Sequence, residues 1–435
     1  MEKTQMSSTS ENRGALSHNV RRIARMDIPG GGQVEVKGNY AYIGHIAPPH
    51  GTSIIDVSDP QRPRLVSKID LPGIDSHSHK VRVVGDDLMI VNSERYRRHF
   101  FRKGKRISEI SSRLEKTLGR PGSEEEVARV LGVAVKDLPL LAEADKRGYI
   151  DGGFKIYDIA DRTRPREIAF QKTAGYGVHR FDVDENYAYI ATEMDGFNGN
   201  ILVTYDIRNP RQPQEVSRWW IPSQKIAEGE KPLWINHRVR LHHAMRFENQ
   251  LWAACCGAGF RVVDVSDISA PETIGSYDYH PPVPDTTHTA LRVPFKINGL
   301  DIAIVIDEQH EHHKGQPHAF MWVFDVSDIT QMKPLSTYHV SEADSPWSRV
   351  PGGVFGAHQF QEHMNSTLVY AAWFSGGLRI VDVANPLLPE EKGFFIPEPA
   401  RGAPTPMSND VDVDSRGLIY LLDRVNGLDI LEYCR

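Results

Sequence analysis

One short pattern recurs along this chain: a β-branched apolar run that closes on an aspartate and passes into a proline-marked turn. Its clearest copy is Ser53-Ile54-Ile55-Asp56-Val57-Ser58-Asp59-Pro60, with Pro63, leading into Leu65-Val66-Ser67-Lys68-Ile69. It returns as Phe154-Lys155-Ile156-Tyr157-Asp158-Ile159, Val203-Thr204-Tyr205-Asp206-Ile207, Arg261-Val262-Val263-Asp264-Val265, Trp322-Val323-Phe324-Asp325-Val326 and Arg379-Ile380-Val381-Asp382-Val383, and in shortened form as Gly427-Leu428-Asp429-Ile430-Leu431. Each copy reads as a strand, an Asx-type turn and a second, more polar strand. Asp56 and its counterparts are therefore structural.

Two more strand-like runs precede every copy, as Val34-Glu35-Val36 and Tyr40-Ala41-Tyr42-Ile43 precede the first. Four antiparallel strands per unit, about seven units and no helix between units predict an all-β chain folded as a seven-bladed β-propeller. A unit cannot bury both faces of its sheet alone, so the ring must close. The last unit lacks a fourth strand after Tyr433, while residues 20–29 (VRRIARMDIP) match the fourth strand at 64–72 (RLVSKIDLP). The N-terminal strand is thus expected to complete the last blade, with residues 1–17 a disordered tail and 18–435 one domain.

The runs Ile54-Ile55-Asp56-Val57, Val262-Val263-Asp264-Val265 and Ile380-Val381-Asp382-Val383 resemble the LVIVD-repeat family of β-propellers. The resemblance spans nearly the whole chain and implies the fold, not the function, because propellers host binding modules and enzymes alike.

One segment breaks the pattern. Between Glu94 and Gly152 the chain runs through Arg97-Arg98-His99-Phe100-Phe101-Arg102-Lys103 into helix-like stretches at 108–118, 123–131 and 135–144. Ser123 before Glu124-Glu125-Glu126 reads as an N-cap. A small helical insertion, about 97–150, is expected in blade two.

A formal net charge of −6 supplies no basic footprint, which argues against nucleic acid as a partner. No apolar run has the length of a membrane span or a signal peptide. Three cysteines, two of them the adjacent Cys255 and Cys256, form no disulfide framework. A cytoplasmic protein acting on a small molecule is expected, with homo-oligomerisation left open.

Histidines stand at the heads of first strands. Alignment on alternating apolar positions makes Gly32, His79, His179, His243, Thr289, His358 and Asn409 equivalent. His79, His179, His243 and His358 are the expected metal ligands, and His288, one residue out of register, is a further candidate. His77, His242 and His363 are expected to face away, since adjacent strand residues point to opposite sides. Glu94, Glu193, Asp307 with Glu308, and Asp423 end second strands beside this ring, and Glu94, Glu193 and Asp307 are expected to orient the imidazoles or act as a general base. Tyr96, Tyr176, Phe197, Trp373 and Phe374 are candidates for an apolar pocket wall, and the loop Gln309-His310-Glu311-His312-His313 for a cover.

Several neutral imidazoles without a thiolate suit iron, copper, zinc or manganese. Four histidines on a propeller axis with outer carboxylates resemble the site of carotenoid cleavage oxygenases, which implies Fe(2+) and a non-haem oxygenase acting on a small apolar or aromatic substrate. The alternatives are a copper-dependent thiol oxidase, resembling the selenium-binding propellers, a metal-dependent lyase or hydrolase, and a non-catalytic scaffold for protein partners.

Overall fold

β-Branched and aromatic residues cluster in runs short enough to be cut by each Asx turn, and strands form where the repeat predicts them. The computed structural model describes residues 14–231 and 239–434, apart from 281, 284, 311, 313 and 314. Most of the expected tail and part of the His-rich loop lie outside the described residues.

Gly31–Lys37, Tyr40–His45, His50–Asp56 and Arg64–Asp70 pair antiparallel in chain order as one four-stranded sheet. The same order recurs in Val178–Val183, Tyr187–Glu193, Asn200–Asp206 and Gln214–Trp219. It recurs again in the strands from Val81 to Lys172, from Val239 to Tyr277, from Thr286 to Tyr338 and from Phe355 to Ile396. Ser408–Val413, Leu418–Asp423 and Asn426–Tyr433 pair in order, and Val20–Pro29 lies antiparallel to the last of them, with Val20 opposite Tyr433. Leu16–His18 pairs with Phe394–Ile396, so ordered backbone begins inside the stretch expected to be a tail.

The turns are built as the repeat implies. Asp56 accepts the Ser58 N–H at 2.9 Å, and Asp264 the Ser266 N–H at 2.8 Å. Each aspartate thereby ties down the backbone that the following proline directs outward.

Every sheet is buried on two faces, which is why the runs are nearly continuously apolar. Ala41, Ile43 and Ile55 pack against Tyr420, Leu422 and Ile430 of the last sheet, while Tyr42 and Ile54 pack against Val81, Met89 and Val91 of the next one. The architecture is all-β and propeller-like, and among the described residues no helix is long and apolar enough to cross a membrane.

The insertion folds as its own unit. Arg98–Phe101, Ile107–Leu118, Glu124–Leu131 and Leu138–Arg147 are helices. Ser123 and Glu126 form a capping box, and Ile110, Val127, Leu131 and Leu138 make a separate small core. The helix expected from Val135 starts later, after a single 3-10 turn at Val135–Asp137.

Candidate metal centre

Near the head of each first strand stand two successive residues that both turn inward: Gly32-Gln33, His79-Lys80, His179-Arg180, His242-His243, His288-Thr289, His358-Gln359 and Asn409-Asp410. A strict period of two would send the members of a pair to opposite faces. The strands instead break register there, between Gly31 and Gln33, Val178 and Arg180, Val239 and His243, Thr287 and Thr289, Phe355 and Gln359, and Ser408 and Asp410. Such β-bulges add a residue and re-aim a side chain. The first member of each pair borders a cavity of about 390 Å³.

His79, His179, His288 and His358 line that cavity, as do His77 and His242. The structure thus brings together four of the five histidines expected as ligands. His243 lies elsewhere: fully buried, it sits one step deeper with Nε2 3.3 Å from the Phe181 carbonyl and Nδ1 3.6 Å from Glu362. His242 takes the cavity position because the bulge between Val239 and His243 shifts the register. His363 is exposed and lies away from the cavity. Glu362 is the hub of the deeper layer, bonded by Lys80 at 3.0 Å, Gln33 at 3.0 Å and Gln359 at 2.8 Å.

The rings form a chain around the wall. Centroids are 5.0 Å apart for His79 and His179, 4.8 Å for His179 and His242, 4.2 Å for His242 and His288, and 4.4 Å for His288 and His358. Burial pushes His79, His179, His242 and His288 well below the usual histidine value, and pushes His358 down to about 3. The imidazoles are therefore neutral near pH 7, the form that ligates metals.

Their outer nitrogens fix the tautomers. Nδ1 of His242 meets the His288 carbonyl at 2.8 Å, and Nδ1 of His77 meets the Ile46 carbonyl at 3.1 Å. Nδ1 of His179 meets Glu94 at 3.1 Å, Nδ1 of His288 the Gln359 side-chain oxygen at 2.9 Å, and Nδ1 of His358 the Asn409 carbonyl. These partners are acceptors, so Nδ1 of His179, His242, His288 and His358 carries the proton and their Nε2 atoms keep the lone pair, with Arg98 at 3.2 Å from that of His179 and Arg180 at 3.4 Å from that of His288; His77 meets an acceptor at both nitrogens, the second being Glu94 at 2.9 Å. His79 is the opposite case. The Asn92 amide, oriented by the Lys80 N–H on its oxygen, donates to His79 Nδ1 at 3.1 Å and leaves the proton on Nε2, which has no partner.

Two of these lone pairs confront each other, with Nε2 of His179 and Nε2 of His242 3.0 Å apart. Two lone pairs at that distance repel unless a cation lies between or beside them. Arg98 supplies a donor to His179 at 3.2 Å but none to His242. Nitrogens that each sit about 2.0–2.1 Å from one metal ion at right angles are themselves about 3 Å apart, so the pair fits a shared ion. His242, His288 and Glu308 form one candidate cluster with ligand atoms within 4.8 Å of one another, and Glu308 also stands 3.7 Å from His358 Nε2. His77, His79 and Glu94 form a second, in which the His79 tautomer turns an N–H rather than a lone pair inward.

Of the expected carboxylates, Glu94 is at the site, bridging His77 at 2.9 Å, His179 and Arg98 at 2.7 Å. Glu193 is held instead by Arg102 of the insertion at 2.9 Å. Asp307 is tied to Tyr279 and to Trp322 at 3.1 Å, and burial raises it to about 6. Its neighbour Glu308 faces the cavity. Burial pushes Glu308 up, but its interactions with His310, His358 and Arg424 outweigh that and hold the carboxyl well below the usual range. Of the aromatic candidates, Tyr96 and Phe374 line the cavity, whereas Tyr176, Phe197 and Trp373 do not.

The LVIVD-repeat family model matches residues 31–70, 178–219, 248–279 and 368–395. The chain carries LVIVD repeats. No curated protein matches its sequence. Among solved structures, the WD40 β-propeller domain of Doa1 aligns over 95% of this chain and 96% of that one at 9% identity, with a TM-score of 0.50, which shows the propeller fold alone. A computationally designed protein, Ika8, aligns over 92% and 96% at 9% identity, with a TM-score of 0.47. Of the cavity histidines only His179 falls inside a matched LVIVD segment. The repeat accounts for the scaffold, and the other cavity histidines lie outside the matched segments.

Proposed function

We propose that the chain is a seven-bladed propeller, closed by Val20–Pro29, that holds a divalent transition metal on His179, His242, His288, His358 and Glu308 and works as a non-haem iron oxygenase. The observation that carries this reading is that the Nε2 lone pairs of His179 and His242 face each other at 3.0 Å, with a donor from Arg98 on the first and none on the second. Imidazoles with a single carboxylate are the donor set of oxygen-using Fe(II) sites, and copper, zinc and manganese accept related sets. Ferrous iron bound there supplies dioxygen activation.

The chain's own residues do the rest. Glu94 and the His288 and Asn409 carbonyls hold imidazole protons at Nδ1 of His179, His242 and His358 and leave the Nε2 lone pairs facing inward. Ile46, Val354, Phe374 and Met407 make one wall of the cavity apolar, which places a small organic substrate against the rings and excludes water. Arg98, carried by the first helix of the insertion, covers Glu94 from the open side. Cys255 and Cys256, buried side by side and in no disulfide, suit a reducing compartment such as the cytoplasm.

Metal analysis of untagged protein, as isolated and after anaerobic loading with Fe(II), tests the reading. About one equivalent of iron, with oxygen consumption, is the expected result. Less than about a tenth of an equivalent of any transition metal after loading would leave a non-catalytic propeller, which shares every element of this fold.

A further inference from the structure

We infer that the ligand of the cavity is an organic anion, a small molecule whose carboxylate or other oxyanion is seated on Arg180 with Arg240 and Arg424 beside it. This deepens the metal reading by naming the substrate class of the same site, though the charge argument stands without the metal. Arg180 is 3% exposed, and its Nε and Nη1 atoms have no hydrogen-bond partner. Among the described residues its one side-chain hydrogen-bond contact is Nη2 to His288 Nε2 at 3.4 Å, and it makes no ion pair. A guanidinium is a rigid fork matched to a planar carboxylate and remains charged when buried. A buried fork with no acceptor is a seat for an anion.

The surroundings add to this charge. Arg98 is matched by Glu94, but Arg424 reaches Glu308 only at 3.9 Å and Arg240 leaves its buried Nε without a partner. Arg180, Arg240 and Arg424 thus line the cavity with one carboxylate, Glu308, while Asp410 acts on Arg180 from the buried layer beneath; positive charge remains in excess, and a bound divalent ion increases it. A second hollow of about 700 Å³ shares His99 and Arg240 with the first, and Arg102, Lys103, Lys105 and Arg106 line it against Glu193 and Asp195. An anion approaching through it meets a favourable field along the way. The apolar wall of Ile46, Val354, Phe374 and Met407 selects an anion with a hydrocarbon body over an inorganic one.

Binding of benzoate, phenylphosphate and uncharged benzyl alcohol to metal-stripped full-length protein, by calorimetry at low salt, tests the inference. At least one of the two anions is expected to bind about tenfold or more tighter than benzyl alcohol, and to weaken with added chloride. Arg180→Gln should weaken the anion about tenfold or more, and Arg424→Gln and Arg240→Gln, nearer the rim, several-fold. If Arg180→Gln does not fold, the two rim variants decide. Equal binding of benzyl alcohol, absence of anion binding, or unchanged affinity in the folded variants would overturn the proposal. Because the stripped protein is used, anion binding in a chain that never takes up metal would sink the oxygenase reading and leave this one standing.

Discussion

His242 and His243 are adjacent, yet one faces the cavity and the other the polar layer beneath it. Replacing His242 with Ala removes one of the two facing Nε2 atoms and leaves the deeper layer intact, so metal affinity should fall about tenfold or more with little change in stability. His243→Ala should do the reverse. It opens a space between Phe181 and Glu362 in a fully buried layer, costing about 1–3 kcal/mol of unfolding free energy while metal content is kept. Metal content and denaturant unfolding of both variants check the assignment, and metal loss in His243→Ala alone would restore the register expected from strict alternation. That register was legible only in part. Alternation located His79, His179 and His358 at the cavity but passed over His242 and set His288 off register, because a β-bulge adds a residue without changing composition. The signal that finds it is the pair of successive inward residues, His242-His243 and His288-Thr289, at heads where a single-facing residue is expected.

At the scale of elements, the insertion announced itself as a break in the repeat, and Ser123 marked its best-capped helix. The four-residue helix Arg98–Phe101 did not: it starts after Arg97 in a left-handed conformation, with φ 56, and is too short to carry a periodic pattern. It is nevertheless the part that touches the site, since Arg98 bonds Glu94 and His179, and Phe101 covers the Arg95 guanidinium at 3.9 Å. The helices keep their own apolar core, and Leu88–Arg95 pairs with Gly153–Asp158 without their help. Replacing residues 97–149 with a short Gly-Asn-Gly link should therefore leave a cooperatively unfolding β protein by circular dichroism. The same deletion should raise hydrogen exchange at the strand ends around Glu94. Loss of cooperative unfolding would show instead that the helices complete the ring's core.

For the molecule as a whole, no sheet stands alone, so its stability depends on the seams where one sheet's side chains bond the next sheet's backbone. The seam between the last sheet and the first runs through two buried aspartates: Asp410 accepts the Val34 N–H at 2.9 Å and Asp412 the Val36 N–H at 2.7 Å. Burial pushes Asp410 up to about 6 and Asp412 up to about 7. A carboxyl raised on folding binds its proton more tightly in the native state. Its contribution is therefore complete below the unfolded value near 3.8 and is lost as pH rises through the folded one. For Asp412 that window is about pH 4 to 7, and the full effect is on the order of 4 kcal/mol. Asp412→Asn carries no charge at any pH. The unfolding free energy of the wild type relative to this variant should then decline by up to about 4 kcal/mol between pH 4 and pH 7, read from urea unfolding at three pH values. A difference that stays flat would mean that Asp412 titrates in the fold as it does in the unfolded chain, and that the seam holds without excluding water from its carboxylates.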